Sequence, residues 1–295
     1  MHRLLASLAL TCLAIAAAAA ERIPADCRWV LQMDVKAALA SQAGEWIARQ
    51  AVRQPLAARL KVLEAISGLD VRRDLRLVTI CGADSDDSTG LILVRGTFDA
   101  AKLELLVSAA EGHEEVKAGH RTIHVWQDKG KPAAGCLAAP DLLILGKSAA
   151  RIRDAIALVD DPSRPAARIA VPEKWEQSAL LFGAADRIDA LIKDKPASAM
   201  LGNVRSCAAR IVEQGADMVL EAHAVAASEA AAQQLVDAGR GLAAIVQLQK
   251  PAELDPALAE SLRNGRLDRA GTAVDLRLSL PVADLLRLVE KRAGL

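Results

Sequence analysis

Strands that run through a short cap into an amphipathic helix recur in matching pairs along this sequence. STGLILVRGTFDAAKLELLVSAAEG has this form near the N-terminus, and ADMVLEAHAVAASEAAAQQLVDAGRG has it near the C-terminus. DLLILGKSAARIRDAIALV and TAVDLRLSLPVADLLRLVE form a second matching pair. Hairpins give antiparallel strands, and helices of similar apolar phase can cover one face of the resulting sheet. The pattern predicts an α+β fold of two related units of antiparallel β-hairpins, with helices packed on one face and an internal duplication.

A proline-containing segment marks the boundary between the two units. Residues 161–177, DPSRPAARIAVPEKWEQ, contain three prolines and show little periodicity, which is typical of a linker. We therefore predict an N-terminal unit over 21–160 and a C-terminal unit over 178–295. Because proline cannot donate to a strand ladder, the linker is expected to cross between the units without forming a central strand.

The first 20 residues predict export. MHRLLASLALTCLAIAAAAA has a basic start at Arg3, an apolar run from Leu4 and an A-x-A pattern before Glu21, which is typical of a secretory signal peptide. The alternative is an uncleaved anchor, but the apolar run is barely long enough for a bilayer and ends in alanine. We predict a mature chain that begins near Glu21, lies in the periplasm or outside the cell, and meets the membrane only through its signal peptide.

The charge balance and the scarcity of aromatic residues argue against several classes of partner. The chain has 37 Lys+Arg and 37 Asp+Glu, so it lacks the basic excess that nucleic acid binding requires. It has no tyrosine, two phenylalanines and four tryptophans, which leaves few surfaces for stacking bases. Gly146-Lys147-Ser148 is similar to the end of a P-loop, but Asp141 stands where the loop needs its first glycine. We predict a turn and a helix cap there, and no nucleotide.

The remaining reactive side chains do not identify a catalytic centre or a cofactor. No C-x-x-C and no G-x-S-x-G motif occurs, so neither a redox dithiol nor a nucleophile elbow is indicated. Exported chains can form disulfides, yet cysteines in apolar strands are often buried as free thiols. Both states remain open for the four cysteines of the mature chain: Cys27, Cys81, Cys136 and Cys207.

Histidines gather near the middle of the N-terminal unit. His113, His120 and His124 lie close in sequence, with Glu114 and Glu115 beside them. RTIHVW has the composition of a strand, and strand residues four apart are roughly 13 Å from each other, too far to share a metal ion. A metal site is therefore not predicted, although a partner across the hairpin could complete a zinc site.

Alternation in three strands predicts a polar surface. One side of ADMVLEAHAVA is polar, as is one side of TAVDLRLSL and one side of HRTIHVW, while the opposite sides are apolar. A solvated sheet face is the ordinary interpretation of this pattern, since antiparallel sheets commonly have one. The functional interpretation is a binding groove where the two units meet. The predicted binding face comprises Thr122, His124, Trp126, Glu221, His223, Asp275 and Arg277.

The start of the mature chain, ERIPADCRWVLQMDVKAAL, resembles the opening of a group of uncharacterised exported bacterial proteins. These share an I/L-P-A-D element followed by a strand, and the hairpin end LILVRGTFDAAKL is also similar to theirs. The resemblance implies export and a duplicated α+β fold, and it implies no functional residue. The sequence thus predicts an exported, non-enzymatic binding or envelope-organising protein whose partner is an unknown protein or envelope component. The alternative is an exported hydrolase with a site between the two units.

Overall fold

The computed structural model describes residues 22–51, 61, 64–84, 86–172, 175, 179–187, 202–248 and 255–293. The predicted signal peptide lies outside the described residues. The helix predicted to follow the strand SALLFGAAD lies outside them too, apart from Arg187. The predicted helical segment LAARLKVLEAI is described only at residues 61 and 64–66. The other strands and helices that the sequence predicted fall mainly within the described part of the chain.

Twelve strands form one antiparallel sheet. Their bounds are β1 Trp29–Asp34, β2 Leu75–Gly82, β3 Leu91–Gly96, β4 Glu114–Ala118, β5 Arg121–Asp128, β6 Lys131–Ala139, β7 Leu142–Gly146, β8 Leu181–Asp186, β9 Val204–Gln214, β10 Asp217–Ala226, β11 Arg266–Ala270 and β12 Ala273–Pro281. The α-helices are α1 Val35–Ala40, α2 Gln42–Ala51, α3 Val71–Asp74, α4 Ala100–Ser108, α5 Ala149–Asp160, α6 Glu229–Leu248, α7 Pro256–Asn264 and α8 Val282–Ala293, and a 3-10 helix spans Asp87–Thr89. None of the described helices has both the length and the apolar character needed to cross a membrane.

Local sequence signals account for many of the element ends. The side chains of Asp34, Asp99 and Ser148 accept hydrogen bonds from the first turns of α1, α4 and α5. These are N-caps, which satisfy backbone donors that a helix start leaves unpaired. Ser148 therefore has the role predicted for it. Gly215 turns β9 into β10 with a φ of +63°, a conformation that glycine adopts without a steric penalty.

The sheet joins both halves of the chain. Its strand order is β11-β12-β10-β9-β8-β1-β2-β3-β7-β6-β5-β4. The first strands of the two halves, β1 and β8, pair with each other in antiparallel register from Trp29↔Ala185 to Met33↔Leu181. This pairing joins the two halves near the middle of the sheet. The predicted mixed α+β architecture of antiparallel strands and helices is confirmed. The two halves share one sheet instead of forming two separate ones.

The two faces of the sheet are defined here by one row of side chains that crosses it. Because facing residues in a register point to the same side, the face that carries this row is continuous from β6 to β12. We call it the front face and the opposite one the back face. The row consists of Cys136, Ile144, Leu93, Thr79, Gln32, Phe182, Arg210, Glu221 and Arg277.

Helices pack on both faces of the sheet. On the front face, Ile152 of α5 is fully buried in a core with Leu91 and Ile144. On the back face, Val236 of α6 is buried against Val274 of β12. The sequence predicted helices on one face of each unit, and in the joined sheet α5 of the first half and α6 of the second half lie on opposite faces. An apolar strand face must be covered by another element. The apolar side of β3 and β7 belongs to the front face, whereas the apolar side of the outer C-terminal strands belongs to the back face, and so each face needs a helix.

The linker lies across the front face at the junction of the halves. Trp175 is buried with Ala184 and Ala208, and Ile169 and Val30 pack against the same cluster. A single bridge, Pro24↔Ala166, connects the segment to the start of the chain. Within its described residues the linker forms no strand of the sheet, and it covers the joint between β1 and β8.

Strand β4 and helix α7 are among the described elements that were not predicted from sequence. Strand β4, with the sequence EEVKA, pairs only with β5 at the edge of the sheet. Its polar composition gives almost no strand signal, since β-propensity mainly reflects packing on a half-buried surface. Helix α7 begins at Pro256, directly after the capping residue Asp255. This Asp-Pro start is a recognisable sequence signal for the beginning of a helix.

Candidate functional site

The predicted binding face does not form one surface. Glu221, His223, Asp275 and Arg277 share the front face, as their pairings Glu221↔Arg277 and His223↔Asp275 show. His124 pairs with Gly135, which lies on the back face, and Thr122 and Trp126 share the side of His124. The two groups thus lie on opposite faces and toward opposite ends of the sheet. The prediction of one groove from all seven residues is wrong, because the alternation within a strand does not say which face it presents.

The front-face group is organised around the carboxylate of Glu221. Arg210 on β9 donates from Nε to Glu221 Oε2 at 2.7 Å, and its Nη2 lies 2.6 Å from the same oxygen. Arg277 on β12 donates to Glu221 Oε1 and, through Nη2, to Gln214 Oε1 at 2.7 Å. Glu221 therefore lies between two guanidinium groups from the neighbouring strands. We call Arg210, Glu221 and Arg277 the arginine–glutamate triad.

The triad keeps Glu221 ionised. Burial opposes its ionisation, but the hydrogen bonds and positive charges of Arg210 and Arg277 outweigh burial and hold the pKa of Glu221 below its ordinary value of 4.5. A carboxylate that accepts charge-assisted hydrogen bonds from two arginines is stabilised in its charged form.

Arg210 is the most buried member of the triad. It is only 8% exposed, and its guanidinium lies 5.2 Å from the ring centre of Trp175, a distance typical of a cation–π contact. Its Nη1 is buried and has no hydrogen-bond partner among the residues that the structure describes. A buried donor without a partner carries a desolvation cost that a polar group arriving at this position would relieve.

A small cavity opens beside the triad. It has a volume of about 170 Å³, less than the several hundred Å³ of most small-molecule pockets. The cavity wall combines both signs of charge with one aromatic ring. It is lined by Trp175, Glu221, Ala222, Arg266, Asp268, Asp275, Leu276 and Arg277.

A second polar pair borders the cavity. His223 Nδ1 and Asp275 Oδ1 lie 3.0 Å apart on adjacent strands. Such a pair orients an imidazole as it does in acid–base sites. The hydrogen bonds that the described residues make to His223 include no hydroxyl or thiol group. The cavity lies on β10–β12 with Trp175 of the linker, and so it does not lie between the two halves.

The other part of the predicted face lies near the edge strand β4. His124 Nδ1 is 3.0 Å from Nε2 of His113, and the two rings are stacked with centroids 5.3 Å apart. Burial and the neighbouring His113 lower the pKa of His124. Thr122 accepts a 2.8 Å hydrogen bond from Lys117, and the Trp126 ring lies over Gly135. We call His113, Glu115 and His124 the edge cluster.

The four cysteines are free thiols in the structure. Cys27 and Cys81 are buried against each other on the front face, and a hydrogen bond from Cys81 lowers the pKa of Cys27 while the same contact raises the pKa of Cys81. Arg151 Nη2 lies 3.4 Å from Cys27 Sγ and its Nη1 binds Asp26. With Cys27 only 4% exposed, this pair contributes to packing.

Several of these residues were missed in the sequence. Arg210 is a charged residue between Ala208 and Val212, on the side of β9 that faces inward. A basic residue at an inward position of an apolar strand is a usable sequence signal, because such residues are buried only when they are paired. Trp175 and His113 gave no such signal, since both lie outside regular strands and only the tertiary fold brings them to their partners.

Comparison with known proteins gives a fold relationship only. No protein-family model and no curated protein matches the chain. Among solved structures, crystal form III of TP0453 is 10% identical with a TM-score of 0.50, over 91% of this chain and 96% of that chain. Crystal form IV of TP0453 gives the same TM-score, identity and coverage. At this identity the similarity concerns the fold, which this chain shares over most of its length.

Proposed function

We propose that this chain is an exported, non-enzymatic binding protein whose ligand site is the front-face cavity beside the arginine–glutamate triad. The observation that carries the proposal is the cavity wall, where the ring of Trp175 converges with the charged side chains of Glu221 and Arg277. Convergent polar groups around a cavity are typical of small-molecule sites. The partner is a small molecule or a small exposed group of an envelope component.

The charges on the cavity wall favour a zwitterionic ligand. Arg266 and Arg277 supply positive charge, and Asp268, Asp275 and Glu221 supply negative charge. A ligand with one sign of charge would meet repulsion from the wall groups of the same sign, whereas a zwitterion can pair with groups of both signs. The volume of the cavity limits the ligand to about the size of an amino acid. A water molecule takes up about 30 Å³ in the liquid, so the cavity has room for only a few groups of that size.

Thermal unfolding in the presence of free amino acids and dipeptides tests the proposal. A ligand that binds only the folded chain raises the unfolding midpoint with its concentration. We expect at least one zwitterion to raise the midpoint of the mature chain and not that of an Arg277→Met variant. Arg269→Met is the matched control, because Arg269 is on the back face of the neighbouring strand β11 and should leave the response intact.

The proposal fails in two ways that the same assay distinguishes. If no zwitterion moves the midpoint of the unmodified chain at millimolar concentration, the cavity is not a site for this class. If Arg277→Met and Arg269→Met respond as the unmodified chain does, binding takes place elsewhere on the protein.

A hydrolase remains the second candidate because of the His223–Asp275 pair. This pair has the geometry of the base and its orienting carboxylate in a catalytic triad,. Hydrolysis of p-nitrophenyl acetate by the mature chain, abolished in His223→Asn, would favour the hydrolase over the binding protein. We expect the two forms to show the same slow rate, since no nucleophile contacts His223 among the described residues.

Export rests on the sequence of residues 1–20, whose apolar run ends in small residues before Glu21. A cleaved signal peptide would place the protein in the periplasm or outside the cell. N-terminal sequencing of the protein from the exported fraction should begin near Glu21. Recovery of Met1 from that fraction would refute cleavage.

We also propose that the two halves arose by duplication. The orders β1-β2-β3-β7 and β8-β9-β10-β12 run outward from the centre of the sheet in the same sequence. In both halves a helix follows the third strand and another follows the fourth, namely α4 and α5 against α6 and α8. Sequence profiles of the two halves should align β3–α4 with β10–α6. An alignment in another register would contradict a common origin.

A further inference from the structure

The edge cluster brings together three side chains with metal-binding atoms. His113, Glu115 and His124 each offer one ligand atom, and these atoms lie within 4.8 Å of one another. The cluster lies on the back face at the far edge of the sheet, and it shares no residue with the front-face cavity.

The fold explains why these three residues meet. Glu115 on β4 pairs directly with His124 on β5, so their side chains leave the sheet on the same side. His113 immediately precedes β4, and its backbone N–H donates to Ala110 O at 3.3 Å. The same turn is fixed to the sheet where Gln127 N–H donates to Glu111 O at 2.8 Å.

The distances suit two imidazole ligands on one ion. His113 Nε2 and His124 Nδ1 are 3.0 Å apart. Two nitrogens bound to tetrahedral zinc at 2.0–2.1 Å are separated by about 3.3 Å, and the separation in the structure is within a few tenths of an ångström of that value. Without metal, the same pair can form one hydrogen bond between the rings.

We propose that the edge cluster is a binding site for a divalent transition-metal ion of the zinc class. Two imidazoles and one carboxylate form a donor set that suits zinc and its neighbours in the first transition row. Calcium and magnesium prefer sites made of oxygen ligands. Three protein ligands leave a fourth position of a tetrahedral ion for water or for a group from a partner.

The surroundings of the cluster permit this role. Lys117 approaches Glu115 at 3.4 Å, but the lysine side chain is 71% exposed, and an exposed pair of this kind contributes little. Glu115 can therefore turn to the ion while Lys117 keeps its hydrogen bond to Thr122. A bound ion would join the turn before β4 to strand β5, and so it would stabilise this edge of the sheet.

Isothermal titration of the untagged mature chain with zinc chloride tests the site. We expect one zinc ion per chain, with calcium chloride giving no competition. His124→Ala and Glu115→Gln should each weaken zinc binding by about 100-fold or more, since even residues outside the ligand set often cost 10- to 100-fold. His120→Ala is the matched control, because His120 is exposed in the turn between β4 and β5 and should leave affinity unchanged.

Three outcomes would overturn the site. They are absence of zinc binding to the unmodified chain, undiminished binding in both ligand variants, and equal weakening in His120→Ala. Should His124→Ala fail to fold, Glu115→Gln decides the matter, because it changes one exposed carboxylate to an amide of the same size. Cobalt(II) provides an independent readout: the unmodified chain should develop the visible absorption of a tetrahedral ion, and Glu115→Gln should not.

Discussion

Glu221 offers the sharpest test of the front-face site. Replacing it by glutamine keeps the size of the side chain and one acceptor oxygen, but it removes the negative charge between Arg210 and Arg277. Arg210 is 8% exposed, so its charge would remain in the interior without a counter-charge. Removing one partner of a buried ion pair costs about 3–5 kcal/mol. Since Arg277 is more open, with a side chain 41% exposed, we expect Glu221→Gln to lower the free energy of unfolding by about 3 kcal/mol, at the lower end of that range.

Urea unfolding followed by circular dichroism measures this loss. With a urea dependence of about 2–3 kcal/mol per molar, the midpoint should fall by about 1 M or more. Glu229→Gln is the matched control: Glu229 lies 3.6 Å from Arg269 and its side chain is 72% exposed. Exposed pairs contribute about 0–1 kcal/mol, so the control should move the midpoint by less than about 0.5 M. An equally small effect of Glu221→Gln would refute the argument that Arg210 and Glu221 form a buried ion pair.

We expect the loss of stability caused by Glu221→Gln to depend on pH. The folded-state pKa of Glu221 lies below its ordinary value of 4.5, so its ionised form stabilises the folded chain above that value. This stabilisation is lost as the pH falls through the folded-state pKa. The difference in unfolding free energy between the unmodified chain and Glu221→Gln should therefore be largest near neutral pH and shrink below pH 4.5. A difference that stays constant into that acid range would show that the charge of Glu221 is not its cause.

Three further predictions concern other parts of the structure. Trp175→Ala should lower the free energy of unfolding, measured by urea denaturation, by about 3–5 kcal/mol, because Trp175 is buried where the two halves of the sheet join,. A loss below about 1 kcal/mol would contradict that packing. Ser148→Ala should cost about 1 kcal/mol through the lost cap of α5 and Ser148→Gly only a few tenths, and equal losses would argue against capping,. A thiol reagent at pH 8 should modify half-buried Cys207 faster than the three buried thiols, which are Cys27, Cys81 and Cys136. Equal rates for all four thiols would contradict this order.

The sequence alone was sufficient for many of the local elements. Short apolar runs in DLRLVTICG and DLLILG indicate strands β2 and β7, and Asp99 and Ser148 mark the starts of two helices. These features depend on residues close in sequence, through local composition and capping, and so they can be inferred without knowing the fold. The polar sides of β10 and β12 were also identified correctly, and they lie next to each other on the same face of the sheet.

Which of these polar sides lie on the same face of the sheet depends on the tertiary structure. His124 and Glu221 each lie on the polar side of a strand, yet seven strands separate β5 from β10 and the registers place the two residues on opposite faces. Trp175 reaches Arg210, and His113 reaches His124, through contacts between elements. Side-chain alternation has a period of two within each strand, but the order and register of strands depend on packing of the whole chain. The sequence therefore determined the strands and their polar sides, and the fold determined which side chains form each site.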